Sequence, residues 1–497
     1  MVRREKTSTS RILPDYIPNW IGGVEVSAHE GGVFEKRSPH KGELICMVAK
    51  SVTTDVDRAV MAAKRAQPAW ADMPAVQRGN ILYTVCNALE KHQEKIASVV
   101  ALETGKSFKE AIGETSGAIS LGRFFAGEGQ RLYGRTTTSG IPNKYAMTIR
   151  QPCGVAGLIT AANTPIANVA WKVFPALICG NGVVLKAAED APATAWLFTK
   201  IAYESGFPPG VLNVIQGLGS EAGAPLVLHP GVDVISFTGS TTTGRWVGEQ
   251  AAKRMAKVSL ELGGKNPFVI CDDADLANAV KWACLSAFSN AGQRCAAGSR
   301  IIIFENVYEQ FREMFVAATA KLKVGPNDDD DLGPVINERQ LKNMLAVIER
   351  AKEQGLRILA GGARMTDEAH VRGYYMSPTL IEGAAPEAEI STCELFGPIA
   401  TLYQVRNFEE ALKLANDSPY GLTACIHTRN FDRAMQFVHK VQAGVAVVNA
   451  GTYGSEPHMP FGGLKQSGNG TREPGTEALD VYTEVKTIYL NTDINNV

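Results

Sequence analysis

The chain has 497 residues, 45% of them apolar and 20% charged, and its 50 basic residues stand against 51 acidic ones for a net charge of −1. That length exceeds what one hydrophobic core supports and predicts two to four domains. With no global field of either sign, attraction of nucleic acid or of an anionic lipid surface is excluded as the organising function.

No run approaches the roughly 20 apolar residues of a membrane span. The opening MVRREKTSTSR leads into no apolar stretch of the kind a secretory signal needs. A cytoplasmic protein with a frayed start is expected. The nine cysteines (46, 86, 153, 179, 271, 284, 295, 393 and 425) show no CxxC pair and no zinc-finger spacing. Reduced thiols and no metal site are expected.

Between residues 15 and 50 the chain reads as short strands and turns, with the Gly and Pro punctuation of a hairpin at 16–23. At Thr54 the pattern changes, because Val56, Ala59, Val60, Ala63 and Ala66 recur at helical spacing behind a Thr-Asp start. Further helices are expected around 75–103 and 107–126. Residues 155–160 then form a short apolar run that ends in the small-residue loop 161–165. A helix (166–178), a strand over 182–186, a helix (192–205), a strand over 212–215, another helix and a strand over 234–237 follow. Strands alternating with helices predict right-handed βαβ units and a parallel sheet, whose ligands bind past the carboxyl ends of the strands. Those ends carry Asn163, Lys186, Glu189, Gly217, Gly219, Gly239 and Ser240.

Two glycine-rich turns compete to hold a phosphate. Residues 217–223, GLGSEAG, nearly match GxGxxG, a weak signal by itself. Residues 237–244, FTGSTTTG, follow a strand and open a helix expected over 245–257, whose N-terminal N–H groups suit a diphosphate. The second turn is favoured. Lys186 and Glu189 are placed to bond the hydroxyls of an adenosine ribose. The Glu carboxylate would repel a 2′-phosphate, which points to NAD over NADP.

After Glu261 the alternation resumes, with a strand over 301–304 and a long helical pattern over 305–322. The acidic run 328–331 reads as a solvated loop, and 341–353 as an amphipathic helix. Strands are expected at 356–360, 374–380, 399–405 and 444–449, with a helix over 407–416 and a glycine-dense loop over 460–468. The tail, 481–489, alternates like a strand with no hairpin partner, so it is expected to pair with another chain or a distant segment.

Two residues in the middle of the chain propose chemistry. Glu261 follows an apolar run and precedes Gly263 and Gly264, and Cys295 ends the sequence GQRC. A cysteine nucleophile forms a covalent intermediate, and a carboxylate base can activate the water that releases it. Against this stands the fact that a lone cysteine is more often a small buried hydrophobe.

Asn163, KAAE at 186–189, FTGS at 237–240, ELGGK at 261–265, GQRC at 292–295, ELFGP at 394–398 and PFGG at 460–463 occur in that order. With these motifs the chain resembles the aldehyde dehydrogenase superfamily from about residue 16 to 490. The resemblance implies an α/β fold of two parallel-sheet Rossmann-like domains, one for the cofactor and one catalytic, plus a small β oligomerisation flap. The cofactor domain would span 1–133 and 153–260, the catalytic domain 261–462, and the flap 134–152 and 475–497. Cys295 is then the nucleophile, Glu261 the general base and Asn163 the side-chain donor to the oxyanion. NAD, with NADP as the alternative, falls to Thr160, Lys186, Glu189, Gly219, Gly239, Ser240, Leu262, Glu394 and Phe396. The implied partners are a small-molecule aldehyde and further copies of the chain, as a homodimer or homotetramer.

Where many family members carry aromatic residues on both sides of the Asn, this chain has Ala162 and Thr164. The missing rings are expected to widen the route to Cys295 and make it more polar. Thr164, Asn168, Trp171, Arg294, Tyr453, His458 and Phe461 are the expected lining. The expected substrate is a polar or bulky aldehyde: a semialdehyde acid, a hydroxyaldehyde or a substituted aromatic aldehyde. Cys393 stands where an acid is common and is a candidate redox-sensitive thiol. Three rival readings stay open. A CoA-acylating dehydrogenase has no need of the Glu261 base, an inactive scaffold would share the fold alone, and a simple Rossmann alcohol dehydrogenase has no use for the thiol.

Overall fold

Uninterrupted apolar runs leave a strand no face for water, and such strands collect in parallel sheets covered by helices on both sides. The chain builds two sheets of this kind. In the computed structural model, which describes residues 12–492, the first sheet runs in the order Lys257–Glu261, Val234–Thr238, Val155–Ile159, Gly182–Lys186, Leu212–Ile215. These five strands are parallel, and the hairpin Asn19–Ile21 and Val24–Val26 joins them antiparallel at one edge. Every residue of Val155–Ile159 and Gly182–Lys186 is buried.

From Val155–Ile159 the chain moves outward to Leu212–Ile215, then returns on the other side as Val234–Thr238 and Lys257–Glu261. The reversal opens a crevice past the carboxyl ends of Val155–Ile159 and Val234–Thr238, where open α/β sheets bind ligands. Thr160, Asn163, Gly239 and Ser240 all follow those ends.

The second sheet runs Arg357–Ala360, Thr379–Glu382, Ile399–Val405, Gly298–Phe304, Asn266–Ile270, Thr423–His427, Val445–Val448, parallel except for its first strand. Glu261 ends the first sheet and Asn266 opens the second. The link 262–265 therefore spans the junction between the sheets. A third, antiparallel sheet pairs Thr483–Asn491 with Lys144–Pro152 along their whole length, and Thr136–Thr138 with the other side of Lys144–Pro152. The tail thus pairs with a distant segment of its own chain.

Two helices of the first unit begin with proline, Pro165–Ile178 and Pro192–Glu204, which spares a backbone N–H that would have no partner. The remaining free N–H groups meet carboxylates from elsewhere. Glu114 accepts from Ile166 (3.0 Å) and Ala167 (3.3 Å), and Glu103 accepts from Ala193 (2.6 Å) and Thr194 (2.8 Å). Negative charge at a helix N-terminus is stabilising.

Several elements differ from the sequence reading. The helix expected over 245–257 is Thr241–Lys253, because the Ser240 hydroxyl caps it by accepting the N–H of Thr243, and Met255 has a φ of 58° that no helix continues. The pattern over 75–103 is two helices, Ala75–Lys91 and Gln93–Thr104, broken at His92. The helix over 305–322 stops at Thr319. The strand expected at 374–380 is Thr379–Glu382; Tyr374 instead donates its N–H to the carbonyl of Pro39, outside the sheet. Among the described residues no helix is long and apolar enough to cross a membrane. The expected frayed start, and the last five residues of the expected flap, lie outside the described residues.

Candidate active site

Left-handed backbone presents Cys295. Asn290, Ala291 and Gly292 have φ of 52°, 53° and 67°, a conformation that costs energy in the first two. A Cβ at Gly292 would lie 2.1 Å from the carbonyl oxygen of Gly397, so the turn closes only with glycine there. Side chains hold the strained pair: the Asn290 amide donates to the carbonyls of Asn163 (3.1 Å) and Gln293 (3.2 Å), and its N–H donates to Glu110 (3.0 Å). Asn266 Nδ2 donates to the carbonyls of Cys295 and Ala297, each at 2.8 Å. Cys295 itself is partly buried against Trp171, Tyr453 and Phe461. Burial, then the carboxylates of Glu394 and Glu261, push its thiol up to about 12.

Asn163 lines the same cavity as Cys295. Its Nδ2 donates to the carbonyl of Gln293 (3.0 Å), and its backbone carbonyl accepts from Lys106 Nζ (2.8 Å). Lys106 in turn forms a buried ion pair with Glu114 at 2.6 Å. The loop is thus fixed from both the side chain and the main chain.

Glu261 is buried, and neither of its carboxylate oxygens has a hydrogen-bond partner among the described residues. Burial raises its carboxyl well above the ordinary value, the charge of Glu473 raises it further, and Lys172 and Arg472 oppose this. Glu473 is satisfied where Glu261 is not: it accepts from Lys172 Nζ (3.0 Å), Ser236 Oγ (2.6 Å) and Ser259 Oγ (2.9 Å). A buried carboxylate left without donors is ready to accept a proton from a ligand or a water.

The cavity measures about 560 Å³. Its lining mixes polar groups, Lys106, Lys109, Glu110, Glu114, Thr164 and Arg294, with the rings of Trp171, Tyr453 and Phe461. Arg294 pairs with Glu110 at 3.4 Å, and its guanidinium lies over the Tyr453 ring, 5.1 Å from the centroid. Two expected lining residues are corrected. His458 points outward, 58% exposed, with Glu456 at 3.7 Å as its partner. Asn168 is buried, because its amide turns back to the carbonyl and hydroxyl of Thr164 (3.0 Å each). A larger, shallower cleft of about 800 Å³ lies past Thr379–Glu382 and Ile399–Val405, but it holds no thiol, and its Glu382 is tied to Tyr308, Arg312 and Arg357.

The residues read as cofactor-binding fall in two groups, Thr160, Lys186, Glu189, Gly219, Gly239 and Ser240 past strand ends of the first sheet and Glu394 and Phe396 beside the link 262–265. Lys186 is buried with its Nζ 3.8 Å from Glu189, and Glu189 accepts the N–H of Gly219 (3.0 Å). A Cβ at Gly219 would meet nothing nearer than Glu189, at 4.0 Å, so the turn is open to a ligand. Thr160 bonds the carbonyl of Lys186 (3.4 Å), and Gly239 and Ser240 open Thr241–Lys253. Leu262 packs so closely on that helix that a Cβ at Gly244 would lie 2.2 Å from it. Glu394 accepts the N–H of Gly264 (2.9 Å), and burial pushes its carboxyl up to about 7. Phe396, with a φ of 56°, completes the bend beside it. A buried amine, a carboxylate, an open glycine turn and a helix N-terminus fit a dinucleotide with free ribose hydroxyls.

Sequence reasoning missed Lys106, Glu114, Lys172 and Glu473. Lys172 carried a signal, a lone charge inside the apolar helix Pro165–Ile178. The other three are acids and a base among many.

The model of the aldehyde dehydrogenase family matches residues 26–488. An α-ketoglutaric semialdehyde dehydrogenase of Bacillus subtilis is 38% identical over 475 residues, 95% of this chain and 97% of the relative. The rat retinaldehyde dehydrogenase 3 is 39% identical over 94% of this chain and 91% of its own length. Among solved structures, the betaine aldehyde dehydrogenase of Staphylococcus aureus in complex with NAD+ superposes with a TM-score of 0.94 at 32% identity, covering 97% of this chain and 96% of that one.

Proposed function

The chain belongs to the aldehyde dehydrogenase family, and on that premise we propose that it oxidises a polar aldehyde to the carboxylic acid with NAD+, using Cys295, Asn163 and Glu261. The observation that carries the reading is a partly buried thiol and a side-chain amide lining one cavity, with a buried carboxylate that finds no donor among the described residues close enough for its charge to raise that thiol.

Cys295 Sγ attacks the carbonyl carbon as its thiolate. The carbonyl oxygen becomes an oxyanion, held by the Asn163 amide and the Cys295 N–H. One such donor is typically worth about 2.7–4 kcal/mol in the transition state. Bound NAD+ supplies the hydride acceptor for collapse of the thiohemiacetal to a thioester. Glu261 then takes a proton from water, which attacks the thioester carbon; the acid leaves and Cys295 is regenerated. A base without hydrogen-bond donors of its own keeps its full affinity for that proton.

The same proposal assigns Thr160, Lys186, Glu189, Gly219, Gly239, Ser240, Leu262, Glu394 and Phe396 to the cofactor. Residues 12–133 and 153–260 would act as the cofactor domain and 261–462 as the catalytic domain. The antiparallel sheet of 136–152 and 483–491 would serve as the flap that meets further copies. A lining that mixes Thr164, Glu110 and Arg294 with Trp171, Tyr453 and Phe461 supports a semialdehyde acid, a hydroxyaldehyde or a substituted aromatic aldehyde over a simple alkanal.

The test is NADH formation by the purified protein over a panel of alkanals, semialdehyde acids, hydroxyaldehydes and aromatic aldehydes, with and without CoA, beside Cys295→Ala. NADH formed fastest from the polar aldehydes, without CoA and absent in the variant, supports the reading. Faster turnover of simple alkanals overturns the substrate class, a requirement for CoA overturns the role of Glu261, and activity in Cys295→Ala overturns the mechanism.

A further inference from the structure

The amide of Asn163 has two ends, and only its nitrogen can donate to an oxyanion. Which end faces the cavity is decided by its neighbours. Asn163 Nδ2 donates to the carbonyl of Gln293 (3.0 Å), and Asn163 Oδ1 accepts from Asn168 Nδ2 (3.4 Å). Asn168 is itself immobilised. It is 8% exposed, it lies one turn along the helix Pro165–Ile178, and the same Nδ2 donates to the carbonyl and the hydroxyl of Thr164 at 3.0 Å each. Thr164 and Asn168 are four residues apart, so both face the same side of that turn. The Thr164 carbonyl can only accept, so Asn168 must turn its NH2 edge to that side; with one hydrogen on that carbonyl, the second is shared between the Thr164 hydroxyl and Asn163 Oδ1, and Asn163 can meet it only with its oxygen.

We propose that Asn168 is a positioning residue: through Asn163 Oδ1 it fixes the orientation of the Asn163 amide, so that one N–H is held by Gln293 and the other stays directed at the cavity beside Cys295. This proposal rests on the assignment of Asn163 as the oxyanion donor. It reassigns Asn168, which the sequence suggested as a substrate contact. A residue that orients the donor acts on the transition state and leaves ground-state binding of the aldehyde alone, so it moves kcat more than KM.

The experiment compares Asn163→Ala, Asn168→Leu, Asn168→Asp and the double variant Asn163→Ala/Asn168→Leu with the native chain. Each is measured for kcat and KM with one polar aldehyde and for its melting temperature. Asn168→Leu keeps the size of the side chain and removes the donor; kcat is expected to fall about tenfold with KM within about twofold. The double variant is expected to match Asn163→Ala, since a residue that works only through Asn163 has nothing left to orient. Asn168→Asp turns a donor into an acceptor. Its kcat should fall at least as far as that of Asn168→Leu and recover, relative to the native chain, as pH falls and the introduced carboxyl regains a proton to donate.

Native kcat in Asn168→Leu, a change confined to KM, or losses that add in the double variant would each overturn the proposal. If Asn168→Leu fails to fold, the pH dependence of Asn168→Asp decides: a loss that does not recover towards acid overturns it as well. Asn163→Ala separates the two claims. Full activity there removes the donor role of Asn163 first, whereas inactive Asn163→Ala beside fully active Asn168→Leu removes only the positioning role.

Discussion

Lys172 binds Glu473 at 3.0 Å, while Glu261, close enough for the charge of Glu473 to raise its carboxyl, has no hydrogen-bond donor among the described residues. The folded chain therefore holds a proton on Glu261 more tightly than the unfolded chain does. Ionising it costs stability as pH rises above the unfolded carboxyl range, near about 4.3. Glu261→Gln should melt higher than the native protein, by a gap that is absent near pH 4 and widens towards pH 8. Over the same range its steady-state turnover should fall by about 10²–10⁴, the usual worth of a general base, while a first burst of NADH survives. A variant that melts lower than the native chain at pH 8 would contradict the electrostatic account.

The thiol of Cys295 is pushed up by burial and by two carboxylates, Glu394 and Glu261. Alkylation of the cofactor-free protein at this residue should be slow at neutral pH and accelerate steadily into the alkaline range. In the alkaline range, where the carboxyls are ionised, removing either negative charge lowers the thiol, so Glu394→Gln and Glu261→Gln should both alkylate faster there, with Glu394→Gln leading because its contribution is the larger. Peptide mass mapping of Cys295 after timed iodoacetamide treatment checks this, and rates unchanged by either substitution would refute it.

The parallel sheets were legible because short apolar runs such as Val155–Ile159 and Gly182–Lys186 alternate with helical patterns. Boundaries were less so. Periodicity ignores the cap, and the Ser240 hydroxyl starts its helix at Thr241, four residues before the pattern suggested. The candidate nucleophile, base and amide could be read from motif order, but their supports could not. Glu114 looks like a surface charge in a helical stretch and Lys106 like one in the turn before it, and only the tertiary fold carries both to the Asn163 loop. The direction of a side chain is equally invisible to spacing. His458 and Asn168 sit near the cavity in sequence, yet one turns to solvent and the other to Thr164.

Glu189 bonds the Gly219 N–H and stands 3.8 Å from the buried Lys186 amine. A 2′-phosphate brought there would meet a carboxylate, and replacing the carboxylate with an amide removes the repulsion while keeping an acceptor for Gly219. Glu189→Gln is expected to raise kcat/KM for NADP+ relative to NAD+ by about tenfold, which corresponds to about 1.4 kcal/mol. Steady-state kinetics with both cofactors tests it. An unchanged ratio would mean that another group sets the preference.

The ion pair of Lys106 and Glu114 has side chains only 3% and 7% exposed, and each member has a second duty. Lys106 holds the Asn163 carbonyl, and Glu114 accepts the N–H groups of Ile166 and Ala167 at the start of Pro165–Ile178. Removing one partner leaves the other charge buried without compensation, a loss of about 3–5 kcal/mol. Lys106→Met should therefore melt well below the native chain, and Glu114→Gln less far, because the amide oxygen still accepts from the helix. The double variant Lys106→Met/Glu114→Gln should recover part of the stability, since no unpaired charge remains, but not the activity, since the Asn163 carbonyl has still lost its donor. Melting temperatures and kcat measured on the three variants separate these effects. A double variant that melts at the sum of the two single losses would show that the pair does not act as a pair.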